Sequence, residues 1–247
     1  MRITVLGGAG AFPTRDQGCS GYLLSYDGFT LLVDPGYATY QAMLAHVAAA
    51  DVDAVLVTHG HPDHCADLHP LLRARQMSGV PGPLPLHAPP GALDAVLALD
   101  GPATLDGAYA VHDLPLDGGL TLGPLTVATM GLPHFLPNAG VRISNGLASI
   151  AYTGDSGPHE PFAELAAGVD LLIAEATHAT QTPEWQAGML STATDAGHLA
   201  SRAGAQALWL THLWPGSDPA EHKATAATAY DGPIEVAVPH LTRDVPG

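Results

Sequence analysis

The chain has 247 residues, with 24 acidic against 8 basic side chains, a formal net charge of −16, and Lys223 as its sole lysine. Even two bound divalent cations would leave it strongly negative, which argues against long-range attraction of a polyanion and so against transfer RNA or other nucleic acid as a partner. Two cysteines, Cys19 and Cys65, are too few for a disulfide framework, so a buried core must carry the stability.

The N-terminus runs from Met1 through Leu6 directly into Gly7-Gly8, without a long apolar segment. No stretch of about 18 apolar residues follows anywhere, so the expectation is a cytoplasmic protein with no membrane partner. Short β-type runs bounded by Gly and Pro predict strands at 3–6, 21–25 and 29–33. An Ala-rich stretch predicts a helix at 40–50, followed by a strand at 54–58. Residues 79–90 are rich in Gly and Pro but too short to link domains; they read as a loop around a β-type run at 84–88. Further strands are predicted at 125–129, 141–143, 149–153, 171–174, 207–211 and 234–238. Near the C-terminus, Asp218-Pro219-Ala220-Glu221 offers an N-cap, a proline in the first turn and a glutamate three residues after the cap, which predicts a helix start. No internal repeat and no low-complexity tail interrupts the pattern. Strands interspersed with helices in this number predict two sheets covered by helices, an α/β chain forming a single domain over 1–247.

The chemistry concentrates after the strand at 54–58, in Thr58-His59-Gly60-His61-Pro62-Asp63-His64. Imidazole and carboxylate are the ligands of zinc-like ions, and a turn at a strand end can aim alternate side chains at one point. Gly60 and Pro62 favour such a turn. Isolated histidines such as His46 and His112 read as surface residues.

This run, His59-x-His61-x-Asp63-His64, is the signature of the metallo-β-lactamase superfamily, and the chain resembles that family from end to end. Gly131-Leu132-Pro133-His134, Tyr152-Thr153-Gly154-Asp155-Ser156 and Leu210-Thr211-His212-Leu213 match the family's later ligand segments in order and context. The resemblance implies a four-layer αββα sandwich with the site at one edge between the sheets. It further implies that His59, His61 and His134 hold one metal, that Asp63, His64 and His212 hold the other, and that Asp155 bridges them. The ions implied are two divalent cations, zinc first, with manganese or iron as alternatives. Asp63, Glu175 and His212 are the residues expected to take part in catalysis. Metal ligands need hydrogen-bonding partners to fix their tautomers, and Asp67 and Asp34 are the candidates; Asp34 also reads as a turn residue before Pro35.

Several segments resemble the ribonuclease Z-like and phosphodiesterase branch. They are the opening Thr4–Pro13, the run Cys19–Leu24, the segment His134–Ile143, and Glu175-Ala176-Thr177, a motif whose glutamate supports a proton-donating histidine in that branch. Gly8-Ala9-Gly10 lacks the third glycine and downstream acid of a nucleotide loop and reads as a tight turn. One departure stands out, for the branch's histidine is replaced by Met189, and a thioether cannot protonate a leaving group. His178 and His198 are the substitutes within reach in sequence. No basic insertion of the kind that grips transfer RNA is present.

The function expected is therefore hydrolysis of a small phosphodiester or related ester-type substrate by a metal-activated water. A carboxylic ester, thioester or lactone hydrolase is the alternative, and a non-catalytic metal-binding member of the fold is the other. Tyr37, Tyr40, Trp214 and Pro215 read either as mouth residues for a ring-bearing substrate or as packing. Arg142 reads as an anion contact or a surface ion pair, Cys65 as a small buried residue. A homodimer is left open.

Overall fold

The computed structural model describes residues 1–101 and 103–246. The first half of the chain forms β1 (Arg2–Gly7), β2 (Gly21–Tyr26), β3 (Phe29–Val33), α1 (Thr39–Met43), β4 (Ala54–Leu56), α2 (Pro62–Cys65), α3 (Leu68–Met77), β5 (Leu84–Ala88), α4 (Asp94–Leu97) and β6 (Tyr109–Asp113). The second half forms β7 (Gly118–Leu122), β8 (Leu125–Leu132), β9 (Asn138–Ser144), β10 (Ser149–Tyr152), α5 (Phe162–Leu165), β11 (Leu171–Glu175), α6 (Ala193–Ala203), β12 (Leu208–Thr211), α7 (Pro219–Ala226), β13 (Ile234–Val236) and β14 (Thr242–Asp244).

These strands make two seven-stranded sheets, ordered β14-β1-β2-β3-β4-β5-β6 and β13-β12-β11-β10-β9-β8-β7. Both are mixed: β3 through β6 run parallel, as do β10 through β13, while the remaining neighbours are antiparallel. Side chains alternate across each strand, so a run buried on both faces feeds two different cores. Leu31 and Val33 of β3 and Leu56 of β4 enter the core between the sheets, where they meet Ile150, Ile173 and Trp209. Leu32 and Val55 point the other way and pack against Leu68, Leu71 and Leu72 of α3. On the far side, Leu172 and Leu210 pack against Ala196 and Ala200 of α6. The order of layers is the expected αββα sandwich. Among the described residues no helix is long and apolar enough to cross a membrane.

The predicted helix at 40–50 is corrected to the short α1 and a 3-10 turn at Ala49–Asp51. The reason is tertiary: the buried Arg75 guanidinium of α3 donates to the carbonyls of Ala49, Ala50 and Val52, which pulls that backbone out of a helix. Strand β5 forms inside the Gly/Pro-rich segment, while β6, β7 and β14 were not predicted. These three are edge or near-exposed strands whose apolar residues do not alternate cleanly. The α7 start is as expected, with the Asp218 carboxylate accepting from the Ala220 N–H and Pro219 in the first turn.

Candidate metal centre

Four strand ends and one helix start deliver the cluster. His59 follows β4, His134 follows β8, Asp155 follows β10 and His212 follows β12, while Asp63 and His64 sit in α2 with Pro62 at its first position. Gly154, at φ 59°, makes the turn before Asp155; a Cβ there would lie 2.5 Å from Asn138 Oδ1. Gly10 lets the N-terminal loop pass against His212, since a Cβ on it would meet the His212 ring at 2.8 Å. The residue after it, Ala11, donates its N–H to Asp63 Oδ2 at 2.8 Å. The sequence Gly8-Ala9-Gly10 is thus a close approach to the site.

Two groups of donors converge. His59, His61, His134 and Asp155 form one, and Asp63, His64, Asp155 and His212 form the other, with Asp155 common to both and the donor atoms of each group within 4.8 Å of one another. In the first, His61 Nδ1 lies 3.1 Å from His59 Nε2 and 3.0 Å from His134 Nε2, while Asp155 Oδ2 lies 3.7 and 3.8 Å from those two Nε2 atoms. In the second, His212 Nε2 lies 3.2 Å from Asp63 Oδ2 and 3.1 Å from Asp155 Oδ2, and His64 Nε2 lies 3.1 Å from Asp155 Oδ1. Two donors each about 2.0–2.2 Å from a tetrahedral cation stand about 3.3–3.6 Å apart, so these spacings suit a shared ion.

The tautomers agree with that fit. His64 Nδ1–H donates to Asp34 Oδ2 at 2.8 Å, and His134 Nδ1–H donates to the Met189 carbonyl at 3.0 Å. His59 Nδ1 meets Thr58 Oγ1 at 3.1 Å, and that hydroxyl donates to Asp34 Oδ2 at 2.8 Å. His212 Nδ1 meets Thr177 Oγ1 at 2.8 Å, and that hydroxyl donates to Glu175 Oε1 at 2.7 Å. Each of these four rings therefore keeps its proton on Nδ1 and presents an Nε2 lone pair to the cluster. His64 Nε2 and Asp155 Oδ1 are buried and misaligned for a hydrogen bond with each other, leaving both without a partner. Buried polar atoms are rarely left so, and a cation between them would satisfy both.

The electrostatics carry the same demand. Burial holds the His59, His61 and His134 rings below the ordinary histidine value, in the neutral form that binds metal. Burial also opposes charge on His64, but Asp155 and Asp34 outweigh it and push that ring well up. Burial alone would raise Asp155, yet His212 and His64 hold it well below the carboxylate range.

The supporting residues divide. Asp34, fully buried at φ 48°, accepts from the Thr58 N–H, the Thr58 hydroxyl, His64 and the Tyr152 hydroxyl, so it is both the turn residue and the partner of the ligands. Asp67 does not share this role: its carboxylate accepts the Tyr40 N–H at the start of α1. Glu175 is placed behind His212, one hydroxyl removed, and burial together with Asp155 pushes its carboxyl well above the usual range. Thr58, Thr177, Met189 through its carbonyl, and Asn138 were not foreseen in these parts. Asn138 Nδ2 donates to the Thr153 and Asp155 carbonyls and so fixes the loop of the shared carboxylate. Only Thr177 had a local signal, as the third residue of Glu175-Ala176-Thr177.

His178 and His198 are not brought to the cluster. His178 Nε2 pairs with Gln186 Oε1 and its ring stacks on Trp214, while His198 is an exposed residue of α6. Arg142 donates to the Leu165 and Ala167 carbonyls and to Ser149 Oγ, and among the described residues it forms no ion pair. Cys65 is buried, with its thiol 3.4 Å from the His61 carbonyl, and burial pushes it up to about 12. Trp214 and Tyr37 are partly exposed, and Phe12 meets Trp214 edge to face.

The description "Beta-lactamase superfamily domain" matches residues 30–213. A probable metallo-hydrolase of Bacillus subtilis, YhfI, is 31% identical over 96% of this chain and 97% of its own length. Its crystal structure, described as a metallo-β-lactamase fold protein, superposes with a TM-score of 0.90 at 29% identity, covering 98% of both chains. A ribonuclease Z of Kineococcus radiotolerans is 29% identical over 92% of this chain and 88% of its own. The short form of human tRNase Z shares the fold, with a TM-score of 0.78 at 23% identity over 100% of both chains.

These relatives correct one expectation. The net charge of −16 argues against transfer RNA and other nucleic acid as partners, yet ribonuclease Z is among the relatives that match almost the whole chain. Net charge describes the far field of the molecule. It does not describe the local field of a cleft built to hold cations, so the exclusion fails.

Proposed function

The chain belongs to the β-lactamase superfamily as a metallo-hydrolase, and from that premise we propose that it holds two metal ions, zinc by donor chemistry, and hydrolyses a small phosphodiester or related ester-type substrate. The observation that carries this reading is the pair of donor groups that share Asp155. His59, His61 and His134 bind the first ion, Asp63, His64 and His212 the second, and Asp155 both. Bound there, such ions would lower the pKa of a water and act as Lewis acids toward the bond to be cut. Asp34 and the Thr177–Glu175 pair hold the ligand rings with Nε2 facing inward; Asp63 is held by the Ala11 N–H. The imidazole donors and the absence of a thiol in either group favour zinc over softer thiolate-binding ions, with manganese and iron as the substitutes to test. Residues 1–247 act as one domain in this reading, because both sheets contribute ligands. The exposed Phe12–Trp214 pair, on the loops that carry Ala11 and His212, supports a substrate with a ring.

Ribonuclease Z relatives favour a phosphodiester over a carboxylic ester. The test is turnover of an aryl phosphodiester, an aryl ester, a lactone and a transfer-RNA precursor, each with and without chelator. Chelator-sensitive turnover of the phosphodiesters, at a kcat/KM at least tenfold above the esters, is expected. Faster lactone or ester hydrolysis would move the reading to carboxylic-ester chemistry, and no turnover of any of the four would leave only metal binding.

A further inference from the structure

Away from the cluster, the second sheet and the helices α5 and α6 border a half-open cleft of about 400 Å³ beside β11, with Pro158, Glu160, His198 and Arg202 exposed at its mouth. Small-molecule pockets run to about 300–1,000 Å³, a range that includes this cleft. The space exists because both walls are built from small residues. Ala174 of β11 and Ala196 of α6 line it, and the buried face of α6 is Ala193, Ala196, Gly197, Ala200 and Ala203. Leu132, Phe162 and Leu199 complete an apolar lining.

Thr153, Ser156 and Ser191 also line the cavity. Their hydroxyl protons are already committed: Thr153 donates to the Gly154 carbonyl at 2.8 Å, Ser156 to the Gly157 carbonyl at 2.6 Å and Ser191 to the Ser156 carbonyl at 2.6 Å. The Ser156 and Ser191 oxygens keep acceptor capacity only, whereas Thr153 Oγ1 already accepts the Glu175 N–H at 3.1 Å, so a guest that reaches the serines must donate. Among the ionisable lining residues, Arg202 is paired with Glu160 at 2.7 Å, the Asp195 carboxylate is taken up by the Thr192 N–H and hydroxyl, and Glu175 by the Thr177 hydroxyl and the Ser191 N–H, while His159 and His198 also border the cleft.

We propose that this cavity is a second binding site, for a small uncharged molecule with an apolar ring and a hydroxyl or N–H donor. The apolar lining takes the ring, and the spent hydroxyls take the donor. The site is separate from the metal cluster but shares a wall with it, since Glu175 lines the cavity and lies 3.9 Å from His212 Nδ1.

Phenol is the probe, titrated into the protein as purified and followed by calorimetry and by the methyl resonances of Leu132, Ala196 and Leu199. Saturable binding with shifts at those methyls is expected. Anisole, which keeps the ring but lacks the donor, should bind about fivefold more weakly, the worth of one hydrogen bond near 1 kcal/mol. Ala196→Leu fills the cavity and should abolish binding; if that variant does not fold, Leu199→Trp at the partly exposed lining position serves, with metal content as its control. The proposal is overturned if phenol does not saturate, if the shifts fall elsewhere, if anisole binds as well as phenol, or if binding survives in a folded cavity-filled variant.

Discussion

Asp34 Oδ2 stands 2.8 Å from His64 Nδ1 and also 2.8 Å from the hydroxyl of Thr58, which in turn meets His59 Nδ1. One buried carboxylate thereby orients a ligand in each donor group. Asp34→Asn keeps the shape but puts an amide where acceptors are needed. Metal affinity should fall about 10- to 100-fold at both positions. Loss of even one hydrogen bond to a buried charged acceptor should also destabilise the protein by about 1.5–3 kcal/mol. Calorimetric metal titration and thermal melting check this, and native affinity at either position would count against the assignment.

Thr177 makes a sharper test, because its hydroxyl links His212 to Glu175 without touching the first donor group. Thr177→Val removes the link at nearly constant volume. The second metal should weaken by about tenfold or more while the first is unchanged, and Thr177→Ser should restore the native value. Equal weakening of both metals, or failure of the serine variant to restore binding, would place Thr177 in a general structural role.

Met189 meets the cluster through its carbonyl on His134, while His178 pairs with Gln186 and His198 lies exposed on α6. A positioned general acid contributes about 10² to 10⁴ in rate, so a site without one suits substrates whose leaving group departs unprotonated. Across aryl phosphodiesters of rising leaving-group pKa, log(kcat/KM) should fall steeply for the native protein and less steeply for Met189→His. A shallow native slope that becomes steep in His178→Ala would reveal that the acid has moved.

The legible part of the site was the part compressed into a few residues. His59, His61, Asp63 and His64 lie on one turn, and His134, Asp155 and His212 each follow an apolar run that reads as a strand. What orients them is spread through the chain: Asp34 reaches Thr58 and Tyr152, and Asn138 reaches Asp155, by contacts that only the packed sheets create. In the sequence Asp67 is a candidate for this role and Asp34 another, the latter also readable as a turn residue before Pro35. The left-handed turn at Asp34 aims one carboxylate under the cluster, while Asp67 is drawn to the first turn of α1. The same long-range control shortened the helix at 40–50, where Arg75 claims the carbonyls, and hid edge strands such as β6, whose Val111 and His112 are exposed. Net charge misled for a related reason, since it averages over a molecule whose chemistry is local.

Two ions sharing Asp155 are the proposed requirement for catalysis. This requirement is tested most directly by adding zinc to chelator-stripped protein while recording bound metal and the hydrolysis of bis(4-nitrophenyl) phosphate. Stripped protein should show no turnover, and activity should rise to a plateau at about two equivalents per chain. Turnover in the stripped protein, or a plateau at one equivalent with no second ion bound, would contradict it.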